Sequence, residues 1–90
     1  MALKLLVGAA SGPGDVFNAT GSTRTIVCTA DSYGTAKVQI EISRDGVVWV
    51  VDPDLVFTAD TVWEVNIAAG LRVRGNIVDG TATNVDLTLQ

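Results

Sequence analysis

Lys37 to Val51 reads K-V-Q-I-E-I-S-R-D-G-V-V-W-V-V, and this stretch decides the class of fold. Val38, Ile40 and Ile42 alternate with Lys37, Gln39, Glu41 and Ser43. A period of two puts apolar side chains on one face of a strand and polar ones on the other, as in an antiparallel sheet with one wet face. Asp45-Gly46 follows, flanked by a second apolar run, Val47 to Val51. Glycine supplies the positive φ of a tight turn, so the pattern predicts a hairpin turning at Asp45-Gly46.

The same punctuation recurs on either side. Thr23 to Ala30 predicts a strand with Ile26, Cys28 and Ala30 on one face, and Asp31 to Gly34 (D-S-Y-G) has the composition of a turn. Upstream, Leu3 to Val7 reads as a short strand and Val16 to Ala19 as a brief pairing. Between them, Gly8 to Asp15 (G-A-A-S-G-P-G-D) reads as a flexible connection, so residues 1–15 suit an N-terminal arm. Downstream, Asp52-Pro53-Asp54 is expected to break the sheet, because proline cannot donate to a ladder. Leu55 to Phe57 then suits a short edge strand. Trp63, Val65 and Ile67 alternate with Val62, Glu64 and Asn66; Leu71 and Val73 alternate with Arg72 and Arg74; Val85, Leu87 and Leu89 close the chain. Gly75 inside its strand predicts a bulge or close packing, and Asp79-Gly80 a second turn.

Val, Thr and Ile supply 14, 10 and 5 of the 90 residues, which are the β-branched types that fit a pleated surface. No stretch has helical periodicity. The expected architecture is one all-β domain over residues 1–90, an antiparallel β-sandwich of seven or eight short strands in Ig-like or jelly-roll order. A chain this small hides only about 63% of its unfolded surface, leaving roughly 5,000 Å² exposed. A monomer would be marginal, and an oligomer or docking on a larger body would supply further burial.

Composition also excludes. Six basic against ten acidic residues give a net charge of −4, too acidic for the basic stripe that nucleic acid requires. No histidine and a single cysteine, Cys28, remove disulfides, Cys/His zinc sites and His-based catalytic triads. Met1 to Ala10 has too short an apolar run for a signal peptide, and no run approaches a membrane span. The acidic residues around Pro53 form only a D-x-D fragment of a calcium loop. No catalytic residue, cofactor or metal is expected.

Two residue sets suit binding. Tyr33, Trp49 and Trp63 would make a stacking platform for sugar rings if exposed, with Tyr33, in a turn, the most exposed. Arg72 and Arg74, two apart on one polar face, suit bidentate pairing with carboxylates of a neighbouring subunit or with cross-strand partners such as Glu64 or Asp86. Ser43 to Trp49 also looks like the Asp-box of sialidase-type propellers, S-x-D-x-G-x-T-W, with one residue missing and Val48 in place of threonine.

Taken together, the acidic, His-free, Val/Thr-rich domain, the hairpin Ser43, Asp45, Gly46, Trp49, the run Val65 to Arg74 (V-N-I-A-A-G-L-R-V-R) and the ending Gly80 to Leu89 (G-T-A-T-N-V-D-L-T-L) resemble small virion proteins of tailed bacteriophages. The likeness covers about residues 35–90. It implies a non-enzymatic capsid decoration (cement) protein, or a related neck or tail component. Such a protein would be made in the host cytoplasm and assembled, as a homotrimer, on the major capsid protein of the virion. Under it, Leu3, Leu5 and Leu6 of the arm and Arg72 and Arg74 of the sheet are the expected capsid or subunit contacts. The competing expectation is a carbohydrate- or receptor-binding module using Tyr33, Trp49 or Trp63.

Overall fold

The computed structural model describes residues 3–90, the side chain of Ser22 excepted. Its strands are β1 (Leu3–Ala9), β2 (Gly12–Pro13), β3 (Phe17–Asn18), β4 (Ser22–Thr29), β5 (Lys37–Ser43), β6 (Val50–Phe57), β7 (Thr61–Ile67), β8 (Arg72–Val78) and β9 (Val85–Leu89). The pairing is nested and antiparallel: β5 with β6, β4 with β7, β2 and β3 end to end along β8, and β1 with β9. The chain is one long hairpin bent back at the β5–β6 connection. Two further pairings, β4 with β9 and β5 with β8, roll it into two sheets, β1-β9-β4-β7 and β2/β3-β8-β5-β6. That rolled hairpin is the jelly-roll order, and it decides between the two sandwich topologies the alternation allowed.

Burial follows the alternation. Ile26 and Cys28 of β4, Val38 and Ile40 of β5, Val73 and Ile77 of β8, and Leu87 and Leu89 of β9 form the core between the sheets. Gly75 belongs to it through close packing and not through a bulge, since β5 and β8 run in unbroken register. A Cβ on Gly75 would lie 2.8 Å from Leu87 Cδ2 and 2.9 Å from Leu6 Cγ. The exposed surface, 4948 Å², matches what the chain length predicts.

Three expectations need correction. First, residues 1–15 are not a free arm over their described part; Met1 and Ala2 lie outside the described residues. β1 pairs along β9, and Gly12-Pro13 pairs with Ile77 and Asn76 of β8. The register shift between Lys4 and Leu6 inserts one extra residue, so the consecutive Leu5 and Leu6 are both buried. Second, Asp52-Pro53-Asp54 does not end its strand. β6 is an edge strand and absorbs the proline in a bulge in which residues 52–55 stand opposite Ile40 alone. Third, the β5–β6 connection is the six-residue segment Arg44–Trp49 and not a two-residue turn, because β6 resumes only at Val50. Asp79-Gly80 is the turn expected, with both residues at positive φ, and it leads β8 into β9 across the two sheets.

Candidate functional site

The β5–β6 connection forms the apex of the rolled hairpin, and its own side chains shape it. Asp45 Oδ1 accepts the N–H of Val47 at 2.8 Å and of Val48 at 3.1 Å, and the Ser43 hydroxyl donates to it at 3.1 Å. Gly46, at φ +80°, donates its N–H to Ser43 Oγ at 2.8 Å. The S-x-D-G sequence is thus a loop-building device, with the aspartate standing in for backbone acceptors. The two backbone N–H groups, then the Ser43 hydroxyl, hold the Asp45 carboxyl below its ordinary range. This fixed loop carries Val47 and Val48, 78% and 65% exposed, beside Val50 at 63%.

Val50 stands opposite Ile42 and so points to the inner side of its sheet, yet the other sheet does not close over it. The result is an open groove of about 720 Å³ lined by Ile42, Val48, Val50 and Leu71 together with Ser43, Arg44, Asp45 and Asp52. None of Tyr33, Trp49 or Trp63 lines it.

On the outer face of the same sheet, β8 sets Arg74 opposite Glu41 and Asn76 opposite Gln39. Glu41 is 5% exposed, although the alternation assigns it to the wet face. Its carboxylate accepts from Arg74 Nε at 2.7 Å, Gln39 Nε2 at 2.7 Å and Asn76 Nδ2 at 2.9 Å. Burial alone would raise its pKa; the hydrogen bonds from Asn76, Arg74 and Gln39 outweigh that and hold it below the ordinary 4.5. The Arg74 guanidinium carbon lies 4.2 Å from the centre of a Trp49 ring. Two residues assigned to rival sites, Arg74 and Trp49, therefore form one cluster. Its carboxylate is Glu41 and not Glu64 or Asp86, because both of those lie in the other sheet. Arg72 is half-buried opposite Ser43, beneath the apex loop, where a Cβ on Gly46 would meet its guanidinium nitrogen at 3.2 Å.

Tyr33 is half-buried and not the exposed aromatic expected of a turn. Its hydroxyl donates to Asp60 Oδ1 at 3.0 Å, which also accepts the Ala30 N–H at 3.2 Å, and it sits 3.6 Å from the buried Cys28 sulfur. Burial first, then the bonds to Cys28 and Asp60, push the Tyr33 pKa well above 10. Burial likewise raises that of Cys28. Trp63, on the edge strand β7, is the one member of the aromatic set left more than half exposed. The three aromatics thus make no common platform: Trp49 lies on Arg74 of one sheet, Tyr33 is engaged by Asp60, and Trp63 is on the edge of the other sheet.

Of the aliphatic contacts expected, Leu5 and Leu6 are spent in the core, and Leu3 is half-buried opposite Leu89. Neither Leu5 nor Leu6 is free to meet a capsid. Sequence reasoning missed the apex valines as surface because V-V-W-V-V looks like a buried strand. The signal that marks them is the S-x-D-G in front, whose aspartate captures the next two N–H groups. Among the described residues no group of three acidic or cysteine side chains comes together as a metal site, and no helix is long and apolar enough to cross a membrane. Searches against protein-family models, curated proteins and solved structures find no match for this chain.

Proposed function

We propose that this chain is a non-enzymatic attachment module, a structural protein of a tailed-phage particle, and specifically a decoration protein that binds the assembled head. The observation that supports this reading is the apex: exposed Val47 and Val48 on a loop pinned by Asp45, beside exposed Val50 at the start of β6, opening onto a largely apolar groove. Contiguous apolar surface of this kind on a soluble domain marks a protein contact site. A loop fixed before contact loses little entropy on binding. Jelly rolls serve viral capsid and lectin domains alike, so the fold is compatible with the reading and does not choose it. The choice rests on the sequence resemblance and on the absence of an aromatic from the groove.

The test is binding of the purified chain to phage heads stripped of decoration protein. Saturable binding that is lost in Val48→Asp, with Tyr33→Phe binding normally, is the expected result. A chain that ignores such heads but binds a glycan array in a Trp63-dependent way would replace this reading with the sugar-binding one.

A further inference from the structure

Two open sheets leave four edges, and three of them here are blunted against recruiting another strand. β1 carries two register shifts and Lys4. β2 and β3 are dipeptides separated by three residues, with Pro13 in the first. β6 carries the bulge together with Asp52, Pro53 and Asp54. Bulges, prolines and edge charges are the means by which natural sheets avoid edge-to-edge pairing. β7 has neither a bulge nor a proline. It runs against β4 in unbroken register from Thr61 to Ile67, contains no Gly, Pro or Lys, and carries Glu64 as its single charge.

Its free hydrogen-bonding groups can be assigned. Thr25 and Gln90 exchange N–H···O bonds of 3.0 and 2.8 Å, so the odd residues of β4 face β9 and the even ones face β7. Arg24, Ile26 and Cys28 therefore bond Val65, Trp63 and Thr61, and the N–H and C=O of Val62, Glu64 and Asn66 point away from the sheet. At this edge Val62 is 71% exposed and Trp63 53%, although Trp63 stands opposite the buried Ile26 and faces inward.

We propose that β7 is a dimer edge. Two copies pair β7 to β7, antiparallel, about a two-fold axis at Trp63, so that β1-β9-β4-β7 of one copy continues into β7-β4-β9-β1 of the other. A second copy of a chain with net charge −4 must keep its carboxylates apart, and that condition selects the register. With Trp63 on the axis, Val62 stands opposite Glu64, Thr61 opposite Val65 and Asp60 opposite Asn66, and no like charges stand directly opposite each other. An axis at Glu64 sets that carboxylate against itself, and one at Val62 sets Asp60 against Glu64. An axis at Val65 faces Trp63 with Ile67, which is already buried. In the Trp63 register the outward groups of Val62 and Glu64 bond each other twice. The two indoles meet on the inner face as a close, non-hydrogen-bonded pair. The contact is isologous and closes at two, not three. It lies away from the apex and holds or fails independently of the attachment reading.

Light scattering on the full chain, from micromolar to near-millimolar concentration, should reveal a species near twice 9.4 kDa. Mild oxidation should link Trp63→Cys into a covalent dimer and leave Glu64→Cys unlinked, because only residue 63 faces its own copy. Val62→Pro removes an outward N–H from each copy without touching the β4 ladder. With its circular dichroism unchanged, it should weaken the dimer about tenfold or more. A monomer or a trimer at near-millimolar concentration, Glu64→Cys linking as fast as Trp63→Cys, or a folded Val62→Pro that dimerises normally would each overturn the proposal.

Discussion

Replacing Arg74 with leucine removes the cation paired with Glu41, and the structure sets the size of the effect. Glu41 keeps the two amide donors, Gln39 at 2.7 Å and Asn76 at 2.9 Å, but its side chain is only 7% exposed. Breaking a buried pair by removing one partner costs about 3–5 kcal/mol. The Arg74 side chain is 23% exposed, which places this pair at the low end, about 3 kcal/mol with the Trp49 stacking included. For a domain of this size that lowers Tm by roughly 12–24 °C. Urea unfolding followed by far-ultraviolet circular dichroism measures it directly.

The pH dependence gives a second readout. In the native protein the Glu41 carboxyl is held below its ordinary 4.5, so its contribution is fully present above that value and is lost as pH falls through the lower folded-state pKa. In Arg74→Leu the burial remains without the cation, and the carboxyl takes up a proton more readily. The gap between the two proteins should therefore narrow as pH falls below 4.5. Arg74→Leu/Glu41→Leu, with both charges gone, should recover much of the loss. A single-variant cost under about 1 kcal/mol, or a double variant no better than the single, would refute the reasoning.

Three further outcomes follow from the same geometry. Gly75→Ala forces a methyl against Leu87 and Leu6 and should cost about 1–3 kcal/mol in chemical denaturation. Tyr33 is the single tyrosine, so absorbance near 295 nm reports it alone: no ionisation should occur at pH 10 while the fold persists, and stability should fall above pH 10 as the unfolded chain alone ionises. A reversible transition near pH 10 in the folded protein would show that Tyr33 is not buried against Cys28 and Asp60. Asp45→Ala should speed hydrogen exchange at the Val47 and Val48 amides, leave the β5–β8 amides protected, and weaken any partner that reads the apex.

Much of the local structure is written in the residues alone. The alternation at Val38 to Ile42, at Trp63 to Ile67 and at Val85 to Leu89 places each strand and its inward face, because a side-chain period of two is a property of the extended backbone. Composition likewise settled that no histidine or disulfide chemistry is at hand. Strand order was not determined, since every order of the same strands keeps the same alternation; it took the pairings β4 with β9 and β5 with β8 to make a jelly roll. Tertiary context also overrode local rules in particular places. Pro53 lies within β6 because an edge strand needs its N–H on one side only, and Leu5 and Leu6 both turn inward because a bulge against β9 breaks the period. Glu41 is buried because β8 brings two donors, Arg74 and Asn76, to it from across the sheet, beside Gln39 of its own strand, and no spacing along the chain encodes that pairing of strands. What a residue does at long range depends on which strand lies beside it, and only the rolled-up chain decides that.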